Sequence, residues 1–461
     1  MKNRRLVRGA AVFAGLALVL AACGEDDPAE TAATTTAPED DGGSTTTAPT
    51  DDTEPSGGGG GELAGARGTN PAPETTAEVT AFQDRMTALD PELEDFSYGP
   101  ESYDSVVIIA LAATAAGDDG SAHAAEIVNV TKDGEECTTY ADCVALLTAG
   151  TDIDYTGVSG PTDMSGNGEP IIGSYSVQTY GDDNRIDPDL TVFETVEASE
   201  EFQALPNDPV TVERAGDGIL TIGTLLPETG NLAFLGPPEI AGVNLAIEDI
   251  NAAGGFGGQP VVLVQGDSGD PTTDTAVQTV GRELAAGVDA IVGAASSTVS
   301  ASVIDTITAA GVTHFSPANT SKQFSDYPDE GLYFRLGPSD ILQGQVLANV
   351  ISDDGAGSLV ILHFDDDYGN GLAEDLGGSF TESGGEVVDT VRYDPTAQTF
   401  DTEVQAALAA DADAIALIGF DETSKLLAAL VSAGLGPLDI PTYLVDGNIG
   451  NALGERFDNG E

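Results

Sequence analysis

From Gly218 onward, short apolar runs alternate with segments in which apolar residues recur every three or four positions. ILTIGTLL (219–226) precedes a helix-period segment over 238–253. PVVLVQGD (260–267) precedes one beginning near Thr272, and DAIVGA (289–294) one beginning near Ser297. GVTHFSPA (311–318) runs into a loop of Ser, Asn and Thr. After LYFRLGPSD (332–340) the pattern restarts, with a helix from Ile341, the run SLVILHF (358–364), a helix after Tyr368 and GEVVDTVRY (385–393). A helix from Phe400, ADAIALIGF (412–420), a helix from Glu422 and IPTYLVD (440–446) complete it. Continuous apolar runs bounded by turn residues read as buried strands, and the three-to-four spacing reads as helix. Strands alternating with helices predict an α/β fold with parallel sheets covered on both faces. The restart near Pro338 predicts a second sheet and hence two lobes.

In open sheets of this kind, ligands bind beyond the carboxyl ends of the strands. Those ends are PETGNLAFLG, GDSGDP, GAASST, SPANTS, FDDDYG, GFDET and VDGNIG. They are small and polar with an occasional aromatic, which suits a cleft that holds a charged small molecule by backbone amides and hydroxyls.

Charge narrows the partners. The 461 residues carry 78 Asp and Glu against 15 Lys and Arg, a formal charge of −63. Such a field repels phosphates, so nucleic acid and anionic lipid are excluded as partners bound by charge. It reads instead as a solvated surface suited to salty surroundings. The apolar fraction of 41% is enough for real cores.

The first residues change the picture of where the chain works. Lys2, Arg4, Arg5 and Arg8 precede GAAVFAGLALVLAA (9–22), a run with the flanks of a secretory signal and too short for a comfortable membrane span. LAAC (20–23) resembles the lipobox of bacterial lipoproteins, which implies cleavage after residue 22 and lipidation of Cys23. Residues 1–22 are therefore expected to be a signal peptide. The chain is then expected to be lipid-anchored to the extracytoplasmic face of a bacterial cell membrane. Residues 24–61 contain no aromatic residue and no Leu, Ile or Val, so 23–61 is expected to be a disordered acidic spacer. Outside the cytoplasm the remaining pair, Cys137 and Cys143, is expected to form a disulfide. No metal is expected, because only His123 lies near them.

The catalytic signatures are weak. GDSGD (266–270) has the look of a serine-protease nucleophile segment but follows a parallel strand, and no AAHC-like segment accompanies it. GVSG (157–160) is not a nucleophile elbow. His123, His314 and His363 lie far apart and read as structural histidines. DDDYGNG (365–371) lacks the EF-hand spacing, and no G-x-G-x-x-G or Walker A loop follows a strand. No cofactor and no enzymatic activity are expected.

The motifs as a series carry a resemblance. LPETGNLAFLGPPEIAGVNLAIEDINAAGGFGGQPVVLV is similar to the opening of the type I periplasmic binding proteins of branched-chain amino-acid ABC transporters. VGAASSTVSASV, GVTHFSPANTS, LYFRLGPSD, DDDYGNGLAE and YLVDGNIGN resemble later motifs of that family, in its order. FSYGPESYDSVVIIALAATAAG, the stretch from GEECTTYADC to GNGEP, and GSYSVQTYG resemble the family's C-terminal third, yet here they come first. GNALGERFDNGE (450–461) stands where the family would continue into something like LAGARGTNPAP (63–73).

The resemblance therefore implies two Rossmann-like lobes with parallel sheets joined by a hinge, in a circularly permuted order. Residues 62–195 would be the family's C-terminal segment, with 76–170 in lobe 1 beside 218–338 and 171–195 in lobe 2 beside 339–461. Residues 196–217 would link the old ends, and about 22 residues reach roughly 70 Å when extended. The alternative is a rearranged gene fusion whose fragments pair poorly or only between molecules.

The resemblance also implies a site. Ser297, the Ala318 backbone and Thr320 would hold a ligand carboxylate, with Ser296 and Thr298 at the same helix start; N-caps and turns are the alternative reading of these residues. Asp446 would pair with the ammonium, with Asp421 as a substitute. Tyr368, Phe420 and Phe234 would line the pocket, and Tyr103 either joins them or belongs to a helical core. The implied function is a solute-binding lipoprotein that closes two lobes on an amino acid and delivers it to an ABC permease. A sensory lipoprotein and a hydrolase on the same scaffold are the alternatives. The absence of Trp argues against a sugar site.

Overall fold

The computed structural model describes residues 61–458. The expected signal peptide, Cys23 and most of the expected spacer lie outside the described residues. β1 (Arg67–Pro71), β2 (Glu135–Cys137), β3 (Ile153–Tyr155), β4 (Ile172–Thr179) and β5 (Val192–Glu197) precede the repeating half, in which strands form where the apolar runs lie. β6 (Thr221–Leu225), β7 (Val262–Val264), β8 (Ala290–Gly293), β9 (Thr313–Ser316) and β10 (Tyr333–Arg335) follow. After Pro338 come β11 (Ser358–Phe364), β12 (Glu386–Tyr393), β13 (Ala414–Ile418) and β14 (Thr442–Leu444).

One sheet has the order β10-β9-β8-β6-β7, with every pairing parallel. A larger sheet has the order β12-β11-β13-β14-β1-β4-β5. The break between sheets thus falls at the restart seen in the sequence. Its central strands are buried on both faces, as Ala414–Ile418 is along its whole length, which is why they read as unbroken apolar runs. The all-parallel expectation needs one correction: β4 runs antiparallel to β1, and β5 antiparallel to β4. β5 is an edge strand with mostly exposed residues, which returns beside β4 as its antiparallel neighbour.

Two larger clusters hold most of the buried apolar residues, beside two smaller ones around Val303 and Phe324. Phe82, Met86, Leu111, Tyr155 and Met164 pack in one cluster with Ile222, Leu245, Val292 and Phe334. Leu63, Tyr175 and Val177 pack in another with Leu347, Ile361, Leu417 and Tyr443. Between β5 and β6 the chain is held to the first core by Arg214, whose guanidinium meets Asp289 at 2.7 Å and whose N–H donates to Ser121 Oγ at 2.8 Å. β14 is joined to β1 in parallel register, Tyr443 opposite Arg67.

Cys137 and Cys143 form the expected disulfide, tying β2 to the helix Tyr140–Thr148. His123 and His314 are buried, and burial pushes both down to about 4. His123 Nε2 shares a hydrogen bond of 2.8 Å with Thr313 Oγ1. Among the described residues no group of His, Cys, Asp and Glu could hold a metal ion, and no single helix is long and apolar enough to cross a membrane.

Candidate functional site

The helix Ser297–Ala309 begins directly after β8, and Ser296 caps it by accepting from the Val299 N–H at 3.3 Å. Its first turn aims unpaired N–H groups and a partial positive charge toward the carboxyl ends of the strands. Ser297, in that turn, accepts from the Ser321 N–H at 3.3 Å, which ties the helix start to the loop after β9. In the same loop Ser316 Oγ accepts from the N–H groups of Ala318 and Asn319, at 3.2 and 2.9 Å. This wall is built from hydroxyls and amides and carries no charged side chain at the cavity.

The opposite wall is anionic. Asp446 follows β14 and is buried. Its Oδ1 accepts from Tyr368 Oη at 2.7 Å and Gln343 Nε2 at 2.8 Å, and its Oδ2 from Tyr98 Oη at 2.7 Å. Burial raises the carboxyl above its ordinary value, opposed by those three hydrogen bonds. Asp340 lies close enough to raise further cost: burial and the charge of Asp446 hold it well above the usual carboxylate range. Tyr368 is set in the first turn of the helix Asp367–Glu382, which Asp366 caps through the Gly369 N–H at 2.7 Å. Its ring stacks on Phe420, centroids 5.4 Å apart.

These walls meet in one small cavity of about 10 Å³ lined by Ser297, Ala318, Thr320, Tyr368, Phe420 and Asp446, together with Tyr98, Leu232, Leu235, Ala295 and Gly447. Thr298 Oγ1 donates to Asp366 Oδ2 at 2.8 Å, and Lys322 meets Glu374 and Asp375 at 3.0 and 2.8 Å, so the two sides are fastened together beside the cavity. The volume is less than one amino acid needs, so these contacts must part for a ligand to enter.

Six of the nine residues expected at the site therefore line one cavity. Ser296 acts as the cap just outside it. Phe234 is partly buried against the core around β11 and is not among the lining residues, although its neighbours Leu232 and Leu235 are. Tyr103 is a correction: it packs edge-on against Phe82 with centroids 5.0 Å apart, and its hydroxyl donates to Asp249 at 2.8 Å. Tyr98, in the left-handed conformation just before the helix Gly99–Ala116, faces the cavity in its place. Asp421 pairs with Arg456 at 3.1 Å and takes no part. Tyr98 and Gln343 were not foreseen. A Tyr ahead of Gly-Pro at a helix start was a legible signal for Tyr98, whereas Gln343 had none.

Chemically the cavity offers a carboxylate steadied by two phenols on one side and a helix N-terminus with hydroxyls on the other. That arrangement can hold a zwitterion. The sequence model described as "Periplasmic binding protein" matches residues 219–460. Leu/Ile/Val-binding protein homolog 3 of Brucella melitensis is 28% identical over 254 residues, covering 52% of this chain and 67% of that protein. The chemotactic signal transduction system substrate-binding protein BasB of Halobacterium salinarum is 30% identical over 219 residues, covering 45% and 51%. A solved structure of the branched-chain amino acid transporter substrate binding protein LivJ from Streptococcus pneumoniae, in complex with isoleucine, is 28% identical, covers 50% of this chain and 64% of that one, and aligns with a TM-score of 0.44. The chain spans about two fifths to two thirds of the length of the proteins it matches. It belongs to the periplasmic binding protein family, as its motifs implied.

Proposed function

We propose that this protein captures a small amino acid outside the cytoplasm, in the branched-chain class, and passes it to an ABC permease. The observation that carries the reading is Asp446, held by Tyr98, Tyr368 and Gln343 opposite the N-terminus of the helix Ser297–Ala309. The ammonium would replace the missing countercharge of Asp446, and the carboxylate would take the helix end with Ser297 and Thr320. Leu232, Leu235 and Phe420 supply an apolar surround for an aliphatic side chain. The work is differential binding of open and closed states, with no bond made or broken. The names of the Brucella and Streptococcus relatives support the class of solute. Calorimetric titration of the full chain with leucine, isoleucine and valine tests it, and failure of all three to bind refutes the assignment.

A second reading, delivery of the bound solute's signal to a membrane receptor, is favoured by the chemotactic relative. Association of the liganded protein with a permease rather than a receptor in detergent extracts separates the two. In either case the lipid anchor at Cys23 is part of the proposal; Cys23→Ser should release the protein from the membrane fraction. The circular permutation is also proposed here, supported by the parallel pairing of β1 with β14 and by a family match confined to 219–460. A gene reordered to run 218–461 and then 62–195 should yield a protein of the same ligand affinity.

A further inference from the structure

One charged side chain in the apolar run around β10 takes no part in the cavity wall. β10 places Tyr333 and Arg335 on one face and Phe334 on the other, because successive side chains of a strand alternate. Phe334 packs into the core beside Phe315, centroids 5.9 Å apart. Arg335 is 0% exposed, although Arg is among the residues least often fully buried. Its charge is met by the buried Glu169 at 2.8 Å. A buried ion pair is by itself weak evidence for stability, so what else the guanidinium touches matters more.

It touches the loop that follows β9. Arg335 Nη1 donates to the Asn319 carbonyl at 3.2 Å and to the Ser321 carbonyl at 2.8 Å, and its Nη2 donates to Ser325 Oγ at 3.3 Å. The carbonyl between those two, on Thr320, accepts from the Asp340 N–H at 2.7 Å. Tyr333 donates from Oη to Asn319 Oδ1 at 2.9 Å, and Asn319 Nδ2 donates to the carbonyls of Ala294 and Ala295 at 2.9 and 2.8 Å. Three consecutive loop carbonyls are thus taken up by the scaffold. In a planar trans peptide the C=O and the following N–H point opposite ways. Anchoring the Asn319 carbonyl on Arg335 therefore turns the Thr320 N–H away from Arg335. Ala318 and Thr320 line the cavity, and Arg335 does not.

We propose, resting on the amino-acid reading of the cavity, that Arg335 is the positioning residue for carboxylate recognition: its fork, steadied by Glu169, fixes loop 318–321 so that Thr320 presents its N–H to the ligand's carboxylate. Arg335 acts through the loop and touches no ligand. One nitrogen that holds two carbonyls, on a fork whose other arm meets Glu169 and Ser325, requires a planar guanidinium. A Lys ammonium would keep the charge opposite Glu169 but is a point donor on a flexible stem. The stretch that carries Glu169 is itself held to β10, where the Arg335 N–H donates to the Gly168 carbonyl at 3.0 Å. The loop's geometry thus depends on a segment remote from it along the chain.

Calorimetric titration of the full chain with leucine and with leucinol tests this, since leucinol keeps the ammonium and the aliphatic side chain but lacks the carboxylate. Arg335→Lys should weaken leucine by about tenfold to a hundredfold, the worth of a hydrogen bond to a charged group, and leave leucinol unchanged. Arg335→Met combined with Glu169→Met leaves no buried charge unpaired. It should melt cooperatively and show the same selective loss. Equal losses for both ligands, leucine affinity unchanged in either variant, or loss of cooperative melting in both would overturn the proposal and leave Arg335 a folding element only. A parent protein that binds leucine no tighter than leucinol would overturn it as well. A parent that binds neither would refute the amino-acid reading itself, and this role of Arg335 with it.

Discussion

Asp446→Asn separates binding from folding more sharply than any other single change. In the free protein the Asp446 carboxylate is buried, with two phenols and one amide as donors and no countercharge. Burial raises its pKa above the unfolded value of 3.8. The folded state therefore holds more protons than the unfolded state above that pH, and this group's contribution to stability is present in acid and lost as pH rises. Asparagine keeps one carbonyl acceptor for the tyrosines and removes the charge. The variant should melt no lower than the parent at neutral pH, and its stability should depend less on pH. Ligand binding should respond oppositely. Removing one partner of a buried ion pair costs about 3–5 kcal/mol, or about 10²- to 10⁴-fold in Kd. Thermal melts with and without leucine across pH 4–8, paired with calorimetry, read both effects. An Asn variant that binds as tightly as the parent, or that unfolds well before it, would refute the assignment of Asp446 as the ammonium partner.

Other changes probe the scaffold. Glu283 lies on the helix Thr275–Ala286 against Gly223 and Gly266, and burial pushes it up to about 8. Its stability contribution is present below about 4.5 and lost as pH rises through about 8. Glu283→Gln should gain at least about 1 kcal/mol in urea melts at pH 9 and nothing at pH 4; equal gains at both would contradict this. Leu111→Ala, in the fully buried middle of the helix Gly99–Ala116, should cost about 2–5 kcal/mol, and a loss under about 1 kcal/mol would mean the helix is not core to the half containing β6 and β8. Replacing Cys137 and Cys143 by Ser opens a loop of sequence separation 6, which should cost about 2 kcal/mol; an unchanged urea midpoint would argue against it.

Much of the fold was legible because its signals are local. SLVILHF and ADAIALIGF could only be strands covered on both faces, and the helix-period segments between them dictated parallel pairing. The hydroxyl-rich strand ends pointed to Ser297, Ala318 and Thr320 because strand ends and helix starts coincide in such sheets. Tyr103 was left undecided between pocket and core for a converse reason. Its helix is buried nearly all round, so periodicity says nothing about which face meets the pocket and which meets Phe82.

From Gly218 onward the sequence by itself determined which segments are strands, which are helices and where the pattern restarts, and it pointed to the family to which the chain belongs. Each depends on residues close together along the chain. Only the tertiary structure decided that β1 lies between β14 and β4, that β4 and β5 run antiparallel, and that Tyr98 and Gln343 converge on Asp446. It alone joined Arg335 to Glu169 behind the loop of Ala318 and Thr320. Those facts rest on contacts between residues up to hundreds of positions apart, which hydrogen bonding and packing select and local periodicity does not encode.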